Sequence, residues 1–192
     1  MINIAVFASG SGTNAQQLIH YFKQHSGTTI ALVVSNKAEA GVLKIAEKEN
    51  IPSLIIEKDH FFKGDAYTGE LKARKIDFIV LAGFLWKVPS ALIQAYTNKI
   101  INIHPALLPK FGGKGMYGRH VHEAVIAAGE KESGITIHYV DEFYDHGNII
   151  FQASCIVTEN ETPASLAEKI QVLEHKNYPS VIEKTVELQN HR

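Results

Sequence analysis

Short apolar runs rich in isoleucine and valine alternate, along roughly the first half of the chain, with longer segments whose apolar residues recur every three or four positions. The short runs have the length and composition of buried strands, and the longer segments have the period of amphipathic helices. This alternation is typical of βαβ units and a parallel sheet. The predicted strands are Ile2–Ala8, Ile30–Ser35, Ser53–Ile56, Asp77–Ala82 and Ile100–Ile103. The predicted helices are Asn14–His25, Glu39–Glu49, Ala66–Lys75, Ser90–Tyr96 and Arg119–Ala128.

The pattern changes after Gly134. Apolar and polar residues alternate over Ile135–Val140, a turn-rich segment follows, and Ile149–Val157 has strand character again. We therefore expect an antiparallel hairpin at the edge of the sheet.

A long final helix is predicted from Pro163 to about Leu188. Thr162 is a favourable cap, and proline is favourable at the first helical position. Pro179 lies inside this span and is expected to bend or interrupt the helix. The predicted fold class is α/β, a doubly wound and mostly parallel Rossmann-like sheet with an antiparallel edge hairpin and a C-terminal helix.

The length of 192 residues fits a single domain, residues 1–192. Nineteen basic and 20 acidic residues give a net charge of −1, which argues against nucleic acid or an anionic membrane as the main partner. A monomer and a homodimer both remain open.

The longest apolar stretch, Phe78–Trp86, is far shorter than the roughly 20 residues that span a bilayer, and the N-terminus has no signal-peptide pattern. We therefore expect a cytoplasmic protein. Cys155 is the single cysteine, so no intrachain disulfide and no thiolate metal cluster can form, and we expect no metal.

The segment SGSGTNA, residues 9–15, joins the first strand to the first helix. Glycines allow close approach, and the N–H groups at a helix start attract an anion. The relaxed dinucleotide pattern G-x-G-x-x-A is present too, but NAD binding calls for an acidic residue after the second strand, where residues 35–37 are Ser-Asn-Lys. The sequence thus favours a phosphomonoester over NAD. A glycine turn that only packs helix against strand is the structural alternative.

Asn102 and His104 lie two residues apart at the end of a predicted strand. Strand side chains alternate, so both point to one side while Ile103 points to the other. Acyl transfer to an amine requires a group that stabilises the oxyanion and a group that manages the proton of the amine. An amide and an imidazole supply both, although an isolated histidine is more often a core residue. Asp145, taken by itself, would be interpreted as an ordinary turn residue, because Asp-His-Gly is a common turn sequence.

Together these residues resemble the folate-dependent formyltransferases, and within them the glycinamide ribonucleotide transformylase branch of purine synthesis. The Asn-x-His-Pro, Leu-Leu-Pro and Asp-x-Gly motifs are shared by the whole family, while SGSGTN and the short chain indicate this branch. The resemblance covers nearly the whole chain. The matching segments are ASGSGTN, SNKAEA, VLAGFLWKV, INIHPALLPKFGGKG, GITIHYVDEFYDHGNIIFQ and LEHKNYP.

The resemblance implies transfer of a formyl group from 10-formyltetrahydrofolate, a consumed co-substrate, to the amine of phosphoribosylglycinamide. Asn102 and His104 would contact the formyl group, and Asp145 would be the third catalytic residue, assisting a proton relay. A nearby carboxylate raises the pKa of an imidazole, so a charged His104 near neutral pH is expected.

The same resemblance divides the chain into an N-terminal half that binds the ribonucleotide and a C-terminal half that binds folate. For Glu174, which the resemblance assigns to ribonucleotide binding, the alternative is a purely structural role as an exposed residue of the last helix. The implied ribonucleotide-binding residues are Gly12, Thr13, Asn14 and Glu174. The implied folate-binding residues are Leu85, Trp86, Lys87, Val88, Asn102, Val140 and Asp141.

Some positions depart from the family pattern. Trp86 stands where many members have a basic residue, and Gly64 lies where some have an arginine for the folate tail. The segment KFGGKGMYGRHVHEA is expected to be a flexible flap whose Lys110, Lys114 and Arg119 could meet anions. The remaining histidines are interpreted as follows: His120 and His122 as surface or cap residues, and His138 as either a support for the site or a structural residue.

Three other functions compete with this interpretation. A deformylase would release formate to water, but such relatives have an additional N-terminal domain. An initiator-tRNA formyltransferase would need a C-terminal nucleic-acid domain and positive charge. A non-catalytic binding module would not need an amide, an imidazole and a carboxylate beside a phosphate loop.

Overall fold

The computed structural model describes residues 1–63 and 66–190. Its strands form one seven-stranded sheet in the order β3-β2-β1-β4-β5-β6-β7. The strands β1 to β5 are parallel, and β6 and β7 pair antiparallel at one edge, as the sequence pattern predicted. The strands are β1 (Ile2–Phe7), β2 (Thr28–Ser35), β3 (Ser53–Ile55), β4 (Phe78–Leu81), β5 (Ile100–His104), β6 (Glu132–Tyr139) and β7 (Ile149–Ile156).

Helices cover both faces of the sheet. A short helix, α3, lies where the apolar pattern predicted none. The described helices are α1 (Thr13–Lys23), α2 (Gly41–Lys48), α3 (Lys58–Phe62), α4 (Ala66–Ala73), α5 (Ser90–Ala95), α6 (Arg119–Ala127) and α7 (Pro163–Asn190).

The alternating side chains of the buried strands build two hydrophobic layers. Val6 and Ile103 belong to the layer covered by α1, α2, α6 and α7, whereas Phe7 and Ile100 belong to the layer covered by α3, α4 and α5. Ile101 and Ile103 pack in the first layer and Ile100 in the second, so the predicted alternation in β5 is confirmed: Asn102 and His104 lie on the same face as Ile100, opposite to Ile103.

The predicted cap of the last helix is present. The Ser165 N–H donates to Oγ1 of Thr162 at 3.1 Å, and the Thr162 N–H donates to Oγ of Ser165 at 3.0 Å. Pro179 does not interrupt α7, which continues from Pro163 to Asn190. Beside it, the buried Tyr178 donates its hydroxyl proton to the carbonyl of Leu81, 2.9 Å away, which ties α7 to the sheet.

The strand order reverses direction between β1 and β4. Open α/β sheets bind ligands in the crevice outside the carboxyl ends of the strands at such a point. The loops that follow the two strands are joined there: Ser9 N–H donates to the Gly83 carbonyl at 3.1 Å, and Leu85 N–H donates to Oγ of Ser9 at 2.9 Å. The fold therefore places the glycine loop beside the loop that follows β4, at the same edge of the sheet as the end of β5.

Candidate active site

A cleft of about 1140 Å³ opens at the carboxyl ends of the parallel strands. Its walls come from the glycine loop, the 83–85 loop, the end of β5, the 113–119 flap, the 144–145 turn and α7. Six of the predicted site residues line this one cleft: Asn14, Leu85, Asn102, His104, Asp145 and Glu174.

The glycine loop requires glycine at one position in particular. Gly12 has a φ of 81°, and an added Cβ there would lie 2.7 Å from Cβ of Val42. The residue stands at the N-cap of α1, whose first turn contains no acidic side chain. Gly12 and Thr13 do not line the cleft themselves. The next residue of the same helix start, Asn14, does line it. The electrostatics of such a helix start favour an anion.

Glu174 reaches the same helix start from α7. Asn14 Nδ2 donates to Oε2 of Glu174 at 2.8 Å, and Asn14 Oδ1 is buried without a partner among the described residues. Burial raises the pKa of Glu174, and the hydrogen bond from Asn14 offsets part of that rise. Glu174 is thus a half-buried residue of the cleft rather than an exposed residue of the last helix.

Gln171 joins this part of the site, although sequence reasoning missed it. Its Nε2 donates to Oγ1 of Thr13 at 3.1 Å, and the side chain lines the cleft. Gln171 lies three positions before Glu174, so both fall on one face of α7. That spacing is the signal that could have identified it.

Asn102 is held by a histidine on the neighbouring strand. Asn102 pairs with His138 across the antiparallel β5–β6 ladder, and Asn102 Nδ2 is 3.0 Å from Nε2 of His138. His138 is buried, and its Nε2 is also 3.7 Å from Oδ1 of Asp145. Of the two interpretations of His138, the structure supports the one in which it supports the site.

His104 is buried with its two ring nitrogens in different surroundings. Nε2 is 2.7 Å from the carbonyl oxygen of Phe111, and Nδ1 is 3.5 Å from Oδ2 of Asp145. A carbonyl only accepts, so Nε2 holds the proton and Nδ1 is the basic nitrogen of the neutral ring.

The expectation of a charged His104 is wrong. Burial lowers the pKa of His104, and this effect outweighs the opposing contributions of Asp145 and of the Phe111 carbonyl. The reason is the removal of the ring from water, which disfavours its cation and which residue spacing does not reveal. His104 is therefore neutral near pH 7.

Asp145 is a carboxylate held by the flap. The Gly113 N–H donates to Oδ2 of Asp145 at 2.9 Å, and Asp145 itself has a φ of 52°. Burial raises its pKa, but the nearby imidazoles of His138 and His104 and the Gly113 N–H together lower it below its ordinary value. An anionic Asp145 thus faces the basic nitrogen of His104.

Most of the other residues predicted to bind folate lie outside the lining of the cleft. Trp86 packs against the rings of Phe61, Phe62 and Phe84, with centroids 5.6 to 6.3 Å apart. Val88 is buried in the α3–α5 layer, and Val140 packs against the same layer. These contacts are structural in the conformation described.

Two predicted polar residues of this set are also engaged elsewhere. The Lys87 ammonium lies 6.0 Å from the ring centroid of Tyr144, and Tyr144 lines the cleft. Asp141 accepts the Phe143 N–H at 2.8 Å and lies 2.8 Å from Nδ1 of His146. Lys87 therefore connects the two loops beside the cleft, whereas Asp141 holds the 141–146 turn together.

The flap contributes cations to the cleft, as its sequence predicted. Lys114 and Arg119 line it, while Lys110 pairs with Glu130 at 2.8 Å and is not part of the lining. Gly64, the position noted for the folate tail, lies outside the described residues.

His122 is not a surface residue. It is 6% exposed and lines the cleft, and its Nδ1 has no partner among the described residues. Burial, and to a lesser degree His104, lowers its pKa. His120 is exposed and lies 3.5 Å from Glu123, in agreement with its predicted surface position.

Neither a metal cluster nor a membrane span is found in residues 1–63 and 66–190. No group of three or more histidine, cysteine, aspartate or glutamate side chains is placed to hold a metal ion. No helix there has both the length and the apolar character that a bilayer requires.

The sequence matches proteins from plants and bacteria. It is 39% identical over 191 residues to the chloroplastic phosphoribosylglycinamide formyltransferase of Arabidopsis thaliana, covering 93% of this chain and 63% of the plant protein. It is 38% identical over 195 residues to phosphoribosylglycinamide formyltransferase of Bacillus subtilis, covering 99% and 97% of the two chains. The chain therefore spans less than two thirds of the plant relative and nearly all of the bacterial one.

Solved structures agree with these matches. The phosphoribosylglycinamide formyltransferase of Bacillus halodurans superposes with a TM-score of 0.85 and 39% identity, over 95% of this chain and 94% of the other. Glycinamide ribonucleotide transformylase 1 of Symbiobacterium toebii gives a TM-score of 0.87 and 32% identity, over 95% and 86%. The formyl transferase family model matches residues 2–182. By sequence and by fold, this chain belongs to the formyl transferase family.

Proposed function

We propose that this protein transfers a formyl group from 10-formyltetrahydrofolate to the amine of 5-phosphoribosylglycinamide, a step of purine synthesis. The main support is the meeting of Asn102, His104 and Asp145 in the same cleft as a phosphate-type helix start. Relatives named for this reaction match the chain along nearly its whole length.

The ribonucleotide is assigned to the wall formed by α1 and α7. Its phosphate would meet the free N–H groups of Gly12, Thr13 and Asn14 at the start of α1. Glu174 would accept from the ribose hydroxyls or the glycinamide end, since a carboxylate is a strong acceptor for such donors. Gln171, already bonded to Thr13, would close the phosphate end.

The folate is assigned to the wall that includes the 83–88 loop and the 140–145 turn. Leu85 and Tyr144 are 41% and 43% exposed and line the cleft, so they offer apolar surface to a flat ring. Trp86, Lys87, Val88, Val140 and Asp141 would support these two loops from behind. Asn102 would contact both the folate and the transferred group.

The reaction begins when the amine attacks the formyl carbon. A new C–N bond forms and the carbonyl electron pair moves to oxygen, where the second N–H of Asn102 Nδ2 stabilises the negative charge. The amine proton passes to Nδ1 of neutral His104. The resulting imidazolium lies beside the anionic Asp145, which stabilises it and orients a water that assists the relay.

The bond between the formyl carbon and the folate nitrogen then breaks. The leaving nitrogen takes up the proton, so the products are formylated ribonucleotide and tetrahydrofolate, and His104 returns to its neutral form. The formyl carbon forms no bond to the protein.

The test is an absorbance assay of the purified protein with 10-formyltetrahydrofolate, with and without phosphoribosylglycinamide. We expect turnover that requires the ribonucleotide and a product heavier by one formyl group in the mass spectrum. Formate release without the ribonucleotide would instead indicate a deformylase. Absence of turnover under both conditions would reject formyl transfer to this acceptor.

A further inference from the structure

We infer that Thr136 and Gln152 are positioning residues that hold the 106–111 segment and thereby fix the tautomer of His104. Both side chains reach this segment from the antiparallel hairpin, and neither belongs to the proposed set of substrate contacts. The kinetic part of this inference rests on the proposed function, whereas its structural part does not.

Thr136 lies directly opposite His104 in the β5–β6 ladder. It is two residues from His138, which lies opposite Asn102 in the same ladder. Side chains two residues apart share a strand face, so Thr136 and His138 stand on the face that presents Asn102 and His104. Thr136 is fully buried at 0% exposure.

The hydroxyl of Thr136 has every hydrogen bond it can form. It donates to the Ala106 carbonyl at 2.7 Å, and it accepts the Leu108 N–H at 2.9 Å and Nε2 of Gln152 at 2.8 Å. One donor and two acceptor positions are the full capacity of a hydroxyl group. Thr136 thus bonds two backbone groups of the segment that follows β5.

Gln152 adds a third bond to the same segment. Its Nε2 also donates to the Leu108 carbonyl at 3.1 Å. Gln152 pairs with Thr136 in the β6–β7 ladder, so the hairpin presents the two side chains together. The segment is therefore held at Ala106 O, Leu108 N and Leu108 O by side chains that lie far away in sequence.

The held segment leads to Phe111, whose carbonyl oxygen is 2.7 Å from Nε2 of His104. This contact keeps the proton on Nε2 and leaves Nδ1 as the basic nitrogen facing Asp145. It is also one of the contributions that raise the pKa of His104 against burial. If the segment were displaced, this contact would weaken and the ring would also adopt the second tautomer. The pKa of His104 would then fall, because one of the contributions that oppose the effect of burial would be lost.

The test compares Thr136→Val, which keeps the shape but removes the hydroxyl, with Thr136→Ser, which keeps the hydroxyl. Long-range ¹⁵N NMR of the imidazole rings reports tautomer and protonation directly, and the His104 signals are identified by their loss in His104→Asn. Thr28→Val is the matched control, because Thr28 is also a buried strand threonine but lies in β2.

We expect His104 to be protonated at Nε2 in the wild type, in Thr136→Ser and in Thr28→Val. In Thr136→Val the ring should become a mixture of both tautomers, with a lower pKa. Unchanged His104 signals in a folded Thr136→Val protein would overturn the inference. If Thr136→Val does not fold, Gln152→Met, which removes the amide, should shift His104 in the same direction by a smaller amount; an unchanged ring there would equally overturn it.

Steady-state kinetics give an independent measurement. Misplacing a reacting group lowers turnover by up to about 10²-fold, so we expect kcat of Thr136→Val to fall by about 10- to 100-fold while KM for the ribonucleotide changes little. Thr136→Ser should restore most of kcat. Equal kcat in the Val and Ser variants would contradict the inference, whereas an inactive wild type would contradict the proposed function and leave the NMR result to test the inference.

Discussion

Asn102 and His138 lie opposite each other on β5 and β6, with Nδ2 of Asn102 3.0 Å from Nε2 of His138. The other nitrogen of this imidazole, Nδ1, is 2.9 Å from the Tyr139 carbonyl, so Nδ1 holds the proton and Nε2 accepts from the amide. The pair therefore sets which end of the Asn102 amide is the nitrogen. One N–H bonds His138, and the second is available to a developing oxyanion.

Replacement of Asn102 by alanine removes this donor. Loss of one oxyanion donor commonly lowers turnover by about 10²–10³-fold, and we expect a decrease of this size in kcat. Steady-state kinetics measure it, with thermal unfolding to verify that the variant is folded. Near-native turnover in a folded Asn102→Ala protein would exclude the proposed role.

The pKa of His104 should lie below the ordinary histidine value of about 6.5. Burial disfavours the charged ring, and Asp145 only partly opposes this effect. In Asp145→Asn the opposing charge is absent, so the pKa of His104 should fall further. NMR titration of the imidazole signals in the free protein measures both values.

Asp141→Asn is the matched control for that titration. Asp141 is 2.8 Å from His146 near the surface rather than beside His104, so its loss should leave the titration of His104 in place. A His104 pKa above the ordinary value, or one that does not respond to Asp145→Asn, would refute the electrostatic account.

Glu174 should make the stability of the protein depend on pH. Burial raises its pKa in the folded state, so the folded protein binds this proton more tightly than the unfolded chain. The free energy of unfolding then decreases as the pH rises above the unfolded value of about 4.3 towards the folded value. Glu174→Gln removes this decrease, and the variant should gain stability relative to wild type as the pH is raised from about 4 to 7.

Chemical denaturation at several pH values measures the difference between the two proteins. Glu187→Gln, an exposed position on α7, is the control for these stability measurements. A stability difference that does not vary with pH would show that burial does not raise the pKa of Glu174.

Glu174→Gln also tests substrate binding: its KM for the ribonucleotide should rise if the carboxylate binds that substrate.

Gly12→Ala should destabilise the protein, whereas Gly10→Ala should not. Gly12 has a φ of 81°, and its added Cβ would lie 2.7 Å from Val42, while a Cβ on Gly10 would meet nothing within 4 Å. A side chain held in the left-handed region costs about 1–3 kcal/mol, and the contact with Val42 adds to this cost. Denaturant unfolding of the two variants gives the comparison, and equal stabilities would contradict the steric account.

Local patterns allowed much of the fold to be predicted. Short apolar runs located the parallel strands, period-two alternation located the antiparallel edge hairpin and period-3.6 spacing located most helices, because these patterns reflect which faces of an element are buried. The five-residue α3 was missed since it is too short to show a helical period. Pro179 suggested a bend or an interruption of α7, and the interruption does not occur, because Tyr178 and Pro179 are buried and the packing of α7 on the sheet outweighs the lost hydrogen bond.

The sequence by itself determined the order of the elements, the glycine turn at Gly12 and the shared face of Asn102 and His104, since each depends on residues close together in the chain. Only the tertiary structure decided that Asn14 meets Glu174, 160 positions away, and that Thr136 holds the segment beside His104. It also decided that His104 is neutral and that His122 is buried. The physical reason is that burial and long-range contacts arise from packing, and desolvation by packing can reverse the sign of a pKa shift inferred from neighbouring charge alone.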